Sequence, residues 1–193
     1  MGLTAAGLLL TGGGSTRMGR DKALLEMDGE TLAERAERVL CAVCDEVVEV
    51  GPGYTALPAT REDPPGSGPL AALVAGADAL DAEAVLLLAV DMPFVGTSLL
   101  RMIARYPGND TVVPVAGGRL QVTCARYGIA TLEQARRMSQ GGSSPAPGLR
   151  DVVAASPHIR LEEAEWKTAG TSRSFLDVDT PDDLRHHGIG GHR

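Results

Sequence analysis

Aromatic side chains are scarce in this 193-residue chain, which carries one tryptophan, three tyrosines and two phenylalanines. So few rings cannot furnish a platform on which successive bases of a single strand would stack. Basic residues are also outnumbered, 18 lysines and arginines against 25 acids, and a net charge of −7 argues against a general binder of nucleic acid or of an anionic membrane. The three cysteines, at 41, 44 and 124, are too few and of the wrong parity for a disulfide framework. No apolar run approaches the length of a membrane span. Residues 3–10 are apolar but lack a basic leader and run into glycines rather than a cleavage site. Ala6 stands where a myristoylation signal would carry Ser or Thr. We therefore expect a cytoplasmic, reducing setting and neither a nucleic-acid nor a membrane partner.

What is plentiful is glycine, 24 residues of it, set within alternating strand-like and helix-like segments. One domain is the expectation at this length, over residues 1–187, with a disordered tail over 188–193. Apolar runs predict strands at Ala6–Leu10, Glu46–Val50, Ala84–Val90, Thr111–Val115, Gln121–Arg126 and Ser174–Val178. Helical spacing predicts helices over Thr31–Val43, Leu70–Leu80, Thr97–Tyr106, Thr131–Ser139 and Pro181–His187. Thr31 and Glu34 have the spacing of a capping box. Residues 62–69 read as a stiff loop, and 140–148, rich in Gly, Ser and Pro, as a mobile loop or lid. Alternation of this kind predicts an α/β fold, a doubly wound and mostly parallel sheet whose site lies outside the carboxyl ends of its strands.

The segment that follows the first strand is the most informative. Thr11-Gly12-Gly13-Gly14-Ser15-Thr16-Arg17-Met18-Gly19-Arg20-Asp21-Lys22 holds three cations and one anion, opposing the sign of the whole chain. Glycines let a backbone approach a ligand and expose its N–H groups, and cations beside them neutralise an anion. The loop is neither a Walker A loop, since Ala23 follows Lys22, nor a dinucleotide fingerprint, since Arg17 stands where a glycine is needed. It reads as a cradle for a nucleoside triphosphate; a glycine turn with solvated charges is the alternative.

The order LxGGxSxRMGxDKxLL, from Leu10 to Leu25, closely resembles the signature of the molybdenum cofactor guanylyltransferases. The resemblance extends to Gly29, Gly68-Pro69-Leu70, Asp91-Met92-Pro93-Phe94 and Thr180-Pro181-Asp182-Asp183-Leu184, in the same order along most of the chain. It implies a Rossmann-like three-layer sandwich of the nucleotide-diphospho-sugar transferase type, with a mostly parallel central sheet. It implies transfer of GMP from GTP to molybdopterin with Mg2+ as cofactor and pyrophosphate as product. Proteins that deliver molybdopterin or mature molybdoenzymes would be its partners. Matching positions imply nucleotide contacts at Leu10, Thr11, Gly12, Gly13, Gly14 and Asp63, a phosphate-binding Lys22 and a magnesium ligand at Asp91. Arg17, Lys22 and Asp91 would form the catalytic set.

Each residue also has a plainer reading. Asp91 follows the most apolar strand and is placed for a metal, although Asp-x-Pro also ends strands as a turn. Arg17 offers a planar fork to two phosphate oxygens. Lys22 and Arg17 alike would otherwise be solvated surface cations. Asp63 could accept from the N–H groups of guanine or from ribose, or be a loop acid in water. Asp177 and Asp179 would share one face of a strand and approach the metal or the acceptor. The family more often carries asparagines there and another asparagine near Gly51-Pro52-Gly53. Arg119 keeps a basic residue that the family has, without the proline that usually follows. These departures leave open a cytidylyltransferase or another transferase with a different phosphorylated acceptor. Retention of Lys22 and Asp91 argues against a non-catalytic nucleotide sensor. Cys41 and Cys44 end a helix rather than start one, so they read as packing residues and not a redox pair. His186, His187 and His192 read as solvated.

Overall fold

The computed structural model describes residues 5–12, 21–141, 145–178, 180 and 182–183. Strand β1 (Ala6–Leu10) is buried at every position but its first, as its unbroken apolar run requires. Two very short strands, β2 (Glu26–Met27) and β3 (Glu30–Thr31), form a hairpin. Asp28 and Gly29 both take positive φ at its tip, 54° and 85°, the conformation that an Asp-Gly turn supplies. Helix α1 (Leu32–Cys41) opens on the expected capping box, with Thr31 accepting from the Glu34 N–H and Glu34 from that of Thr31. Then follow β4 (Val47–Val50), β5 (Ala59–Thr60), α2 (Pro69–Leu80), β6 (Ala84–Ala89), α3 (Thr97–Ala104), β7 (Thr111–Ala116), β8 (Arg119–Leu120), β9 (Cys124–Gly128), α4 (Ile129–Gln140), α5 (Leu149–Ala154), β10 (His158–Leu161) and α6 (Glu163–Trp166).

The main sheet has the order β10-β7-β9-β6-β1-β4-β5, with β8 paired on β7. All neighbours on the main path are parallel except β9, which runs antiparallel to both β6 and β7. The expected mostly parallel sheet is therefore present. Its two faces carry separate cores. Leu9, Leu86 and Leu88 face α1, α3 and α6, whereas Leu8, Leu10, Val85 and Leu87 face α2, α4 and α5. This alternation with period two makes three layers, helix on sheet on helix. Helix α2 lies so close to β1 that a Cβ built on Gly76 would come within 2.3 Å of Leu8 Cδ1.

Some expectations are corrected. The strand expected over Gln121–Arg126 runs instead over Cys124–Gly128, because Gln121 accepts from the Cys124 N–H in a turn. The strand continues past Arg126 because Tyr127 and Gly128 pair with Val85 and Ala84 of β6. Residues 174–178 are not a strand: a turn over 172–175, with Ser174 N–H on Thr171 O, runs into irregular chain, with Leu176 N–H on Arg173 O. Of the closing helix expected over Pro181–His187, only residues 182 and 183 are described, and both are helical. Among the described residues, no helix is long and apolar enough to cross a membrane.

Candidate active site at the carboxyl edge of the sheet

Strand β1 is flanked in register by both parallel neighbours, Leu10 lying opposite Val50 of β4 and Ala89 of β6. The chain leaves β1 toward β4 and returns to β6 on the other side. The carboxyl end of β1 is thus the switch point at which open α/β sheets bind ligands. Three hydrogen bonds join the strand ends there. Val90 N–H donates to Leu10 O at 3.0 Å, and the Thr11 and Gly12 N–H groups donate to Val50 O at 3.2 and 3.3 Å. Val90 precedes Asp91, so the backbone brings residue 91 to the strand end from which the glycine loop starts. Asp91 is half-buried, with its Oδ1 shielded from solvent. Val178 N–H in turn donates to Asp91 O at 2.8 Å, which brings the segment of Asp177 to the same place. Asp177 itself is exposed and lies in no strand, contrary to the expected strand over Ser174–Val178. Asp179 lies outside the described residues.

A small apolar cluster underlies this edge. Ala23, Leu25, Met27, Leu32 and Ala33 pack with Val90 and Val178, and Tyr54 and Phe94 close over them. Ala23 belongs to the 3-10 turn Lys22–Leu24, which Asp21 precedes in extended conformation. One cluster therefore gathers the backbone that carries Lys22, Asp91 and Asp177. Lys22 is half-buried in that turn. Asp63 is exposed, in the loop between β5 and α2, and thus leaves the same edge of the sheet. Gly13, Gly14 and Arg17 lie outside the described residues. So do His186, His187 and His192.

Two residues of this site escaped the sequence reading. Glu49 is fully buried in β4. Its carboxylate accepts the Thr11 hydroxyl at 2.5 Å, the N–H groups of Gly53, Tyr54 and Thr55, and the Thr55 hydroxyl. Burial works to raise its pKa, but the hydrogen bonds, that from Thr11 foremost, outweigh burial and hold it below the usual carboxylate value. The signal was an acid inside an otherwise valine-built parallel strand. Tyr54 donates its phenol proton to Asp21 Oδ2. That bond, with partial burial, pushes the phenol up to about 12. Gly51 is dictated by close approach, since a Cβ there would lie 2.0 Å from Thr11 Oγ1.

The remaining expectations fall away from the chemistry. Cys44 is buried in the core, and burial pushes its thiol up to about 12, which suits packing. Cys41 is exposed rather than packed. Thr180 and Asp183 cap one another's backbone N–H groups, a structural role. Arg119 is exposed on β8. Among the described residues, no group of three or more His, Cys, Asp or Glu side chains is placed to hold a metal. Magnesium does not need one, because one or two carboxylates together with phosphate oxygens and water are its usual ligands. Asp91 fits that role.

The chain matches the model of the MobA-like NTP transferase domain over residues 7–159. A Chloroflexus aggregans protein named a probable molybdenum cofactor guanylyltransferase is 33% identical over 193 aligned residues, covering 93% of this chain and 91% of the relative. A Pelotomaculum thermopropionicum protein of the same name is 32% identical, covering 94% and 91%. The crystal structure of molybdopterin-guanine dinucleotide biosynthesis protein A from Archaeoglobus fulgidus superposes with a TM-score of 0.78 at 18% identity, over 94% of this chain and 95% of that one. A Mycobacterium tuberculosis protein solved with manganese superposes with a TM-score of 0.64 at 17% identity, over 95% and 97%. The Gly-rich edge, the carboxylate at its side and the match along most of the sequence agree: the chain belongs to the MobA-like NTP transferase family.

Proposed function

We propose that this nucleotidyltransferase moves GMP from GTP to molybdopterin and releases pyrophosphate. The observation that carries the reading is the bond from Val90 to Leu10, which sets Asp91 beside the backbone that opens the glycine loop. Leu10, Thr11, Gly12, Gly13 and Gly14 contact the nucleotide in this reading, and Asp63 accepts from guanine or ribose. Lys22 and Arg17 bear on the phosphates. Asp91 is the residue that would hold Mg2+, which when bound offsets charge on the phosphate oxygens.

The acceptor is a phosphate monoester, whose second pKa is about 6. It is largely ionised at neutral pH, and no general base has to activate it. Its oxygen forms a bond to the α-phosphorus, and the bond from that phosphorus to the bridging oxygen breaks. Pyrophosphate leaves with the electron pair. The task left to the protein is to hold two anions together and in line, which is positioning and charge stabilisation. Lys22, Arg17 and the loop N–H groups do this from the nucleotide side.

Thermal unfolding with GTP, CTP, ATP or UTP, each with and without magnesium, tests the reading. At a hundredfold excess over Kd, GTP with magnesium is expected to raise Tm by roughly 5–10 °C. Pyrophosphate release on adding molybdopterin should follow. Equal or greater stabilisation by CTP would overturn the assignment of the base. Absence of pyrophosphate with GTP and molybdopterin would overturn that of the reaction.

A further inference from the structure

The segment Glu49–Thr55 touches the phosphate-binding loop at both of its ends. At one end Glu49 accepts the Thr11 hydroxyl at 2.5 Å. At the other the Tyr54 phenol donates to Asp21, the residue at the start of the turn bearing Lys22, whose backbone carbonyl accepts the Leu24 N–H. Between these points the segment is held by the same carboxylate. Glu49 takes the N–H groups of Gly53, Tyr54 and Thr55 at 2.9 Å each. The backbone at Tyr54, in the loop after β4, is therefore fixed, and its ring is seated on the apolar cluster that includes Ala23. A buried carboxylate satisfied by five donors does not bend the chain idly. Its effect is to make residues 49–55 a rigid strut between Thr11 and Asp21.

We propose that Glu49 and Tyr54 form a brace that sets the position of Lys22, with Tyr54 acting through Asp21 as a positioning residue for nucleotidyl transfer. The inference rests on the reading of Lys22 as a phosphate ligand. It adds a determinant outside the glycine loop. Lys22 sits one residue beyond Asp21, and its carbonyl accepts the Leu25 N–H while that of Asp21 accepts the Leu24 N–H. Losing the phenol bond unties the residue at the start of the turn from residue 54, loosens the turn bonds that its backbone and that of Lys22 accept and widens the range of positions open to the ammonium group. Near-attack geometry is sensitive to displacements of about 1 Å.

Two measurements decide the matter. The first is amide hydrogen exchange at Leu24 and Leu25 in the nucleotide-free protein, for the wild type, Tyr54→Phe, Asp21→Ala and Asp21→Asn. The second is pyrophosphate release with GTP, magnesium and molybdopterin. Tyr54→Phe keeps the ring and its packing, so its Tm is expected to fall by no more than about 5 °C, the cost of the one bond. Exchange at both amides should speed up about tenfold, the size of one hydrogen bond to a charged group. The transfer kcat should fall about tenfold while KM for GTP changes less, as for an interaction that matters most in the transition state. Asp21→Ala should match Tyr54→Phe, and the double variant should lose no more than either alone. Asp21→Asn, which still offers an acceptor, should restore most of both signals. Wild-type exchange in Tyr54→Phe, or losses that multiply in the double variant, would overturn the brace. If the wild type itself releases no pyrophosphate, the proposed reaction fails while the exchange data still decide for or against the brace.

Discussion

Glu49 shows how one side chain can carry more of a site than its sequence context suggests. Its two oxygens accept from Thr11, Gly53, Tyr54 and Thr55, so every nearby donor points at a negative charge. Glu49→Gln turns one oxygen into an NH2 that faces those donors. The expected cost is about 2–3 kcal/mol of unfolding free energy, from donors left unsatisfied. The pH dependence follows from the lowered pKa. The folded value lies below the unfolded one, so the stabilisation is present in full above the ordinary value of 4.5 and is lost as pH falls through the folded value. Urea unfolding of wild type and variant between pH 3 and 7 should show a gap that is wide at neutral pH and narrows in acid. A constant gap would mean that the charge is not what the donors require. No spacing rule pointed to Glu49, because its partners come from two loops and are set by the fold. Lys22 and Asp91 could be singled out from sequence as candidates because each stands at a fixed offset from a recognisable strand or glycine run, and transfer kinetics test their roles.

At the scale of elements, legibility followed length and burial. Strands β1 and β6 are continuous apolar runs, and their positions matched the sequence reading closely. Helix α1 was marked by its cap and by the spacing of its apolar residues. The pieces that escaped, β2, β3, β5, β8, β10, α5 and α6, span two to six residues, too short for a period to show. They are fixed by tertiary partners. The α6 residue Trp166, for example, is held by an indole bond to Val115 O and an edge contact with Phe175. Helix α2 makes the opposite point. Gly76 looks like a defect in an Ala-rich helix, and replacing it with alanine would gain about 1 kcal/mol by propensity alone. The contact with Leu8 and Val50 should reverse the sign. Gly76→Ala is expected to lose about 1–3 kcal/mol in urea unfolding, from overpacking against β1. A stabilised variant would mean that α2 can slide off β1 at no cost, and the tight layer spacing inferred here would be wrong.

Over the whole molecule, the acidic surface implied by a net charge of −7 and a substrate of like sign are reconciled by topology. Three segments far apart in sequence meet at one edge: the end of β1, the residue after β6 and residue 178. The hydrophobic cluster beneath the edge holds Ala23, Val90 and Val178 together, so packing builds the site and a few polar groups occupy its rim. Stability and chemistry should then be separable by choosing which layer to disturb. Asp91→Ala removes a rim carboxylate and leaves the cluster intact. Transfer should fall about a thousandfold or more, with unfolding free energy changed by less than about 1 kcal/mol. Val178→Ala opens a void in the cluster and leaves every rim group in place. It should cost about 2 kcal/mol of stability yet keep transfer within about tenfold of wild type at 25 °C, because the bond from the residue 178 N–H to Asp91 O survives the substitution. Steady-state pyrophosphate release set beside urea unfolding for the two proteins makes the comparison. If Asp91→Ala instead unfolds the protein, the carboxylate is a structural group and the metal assignment loses its basis. If Val178→Ala abolishes transfer with little loss of stability, the segment around residue 178 takes part in the chemistry itself.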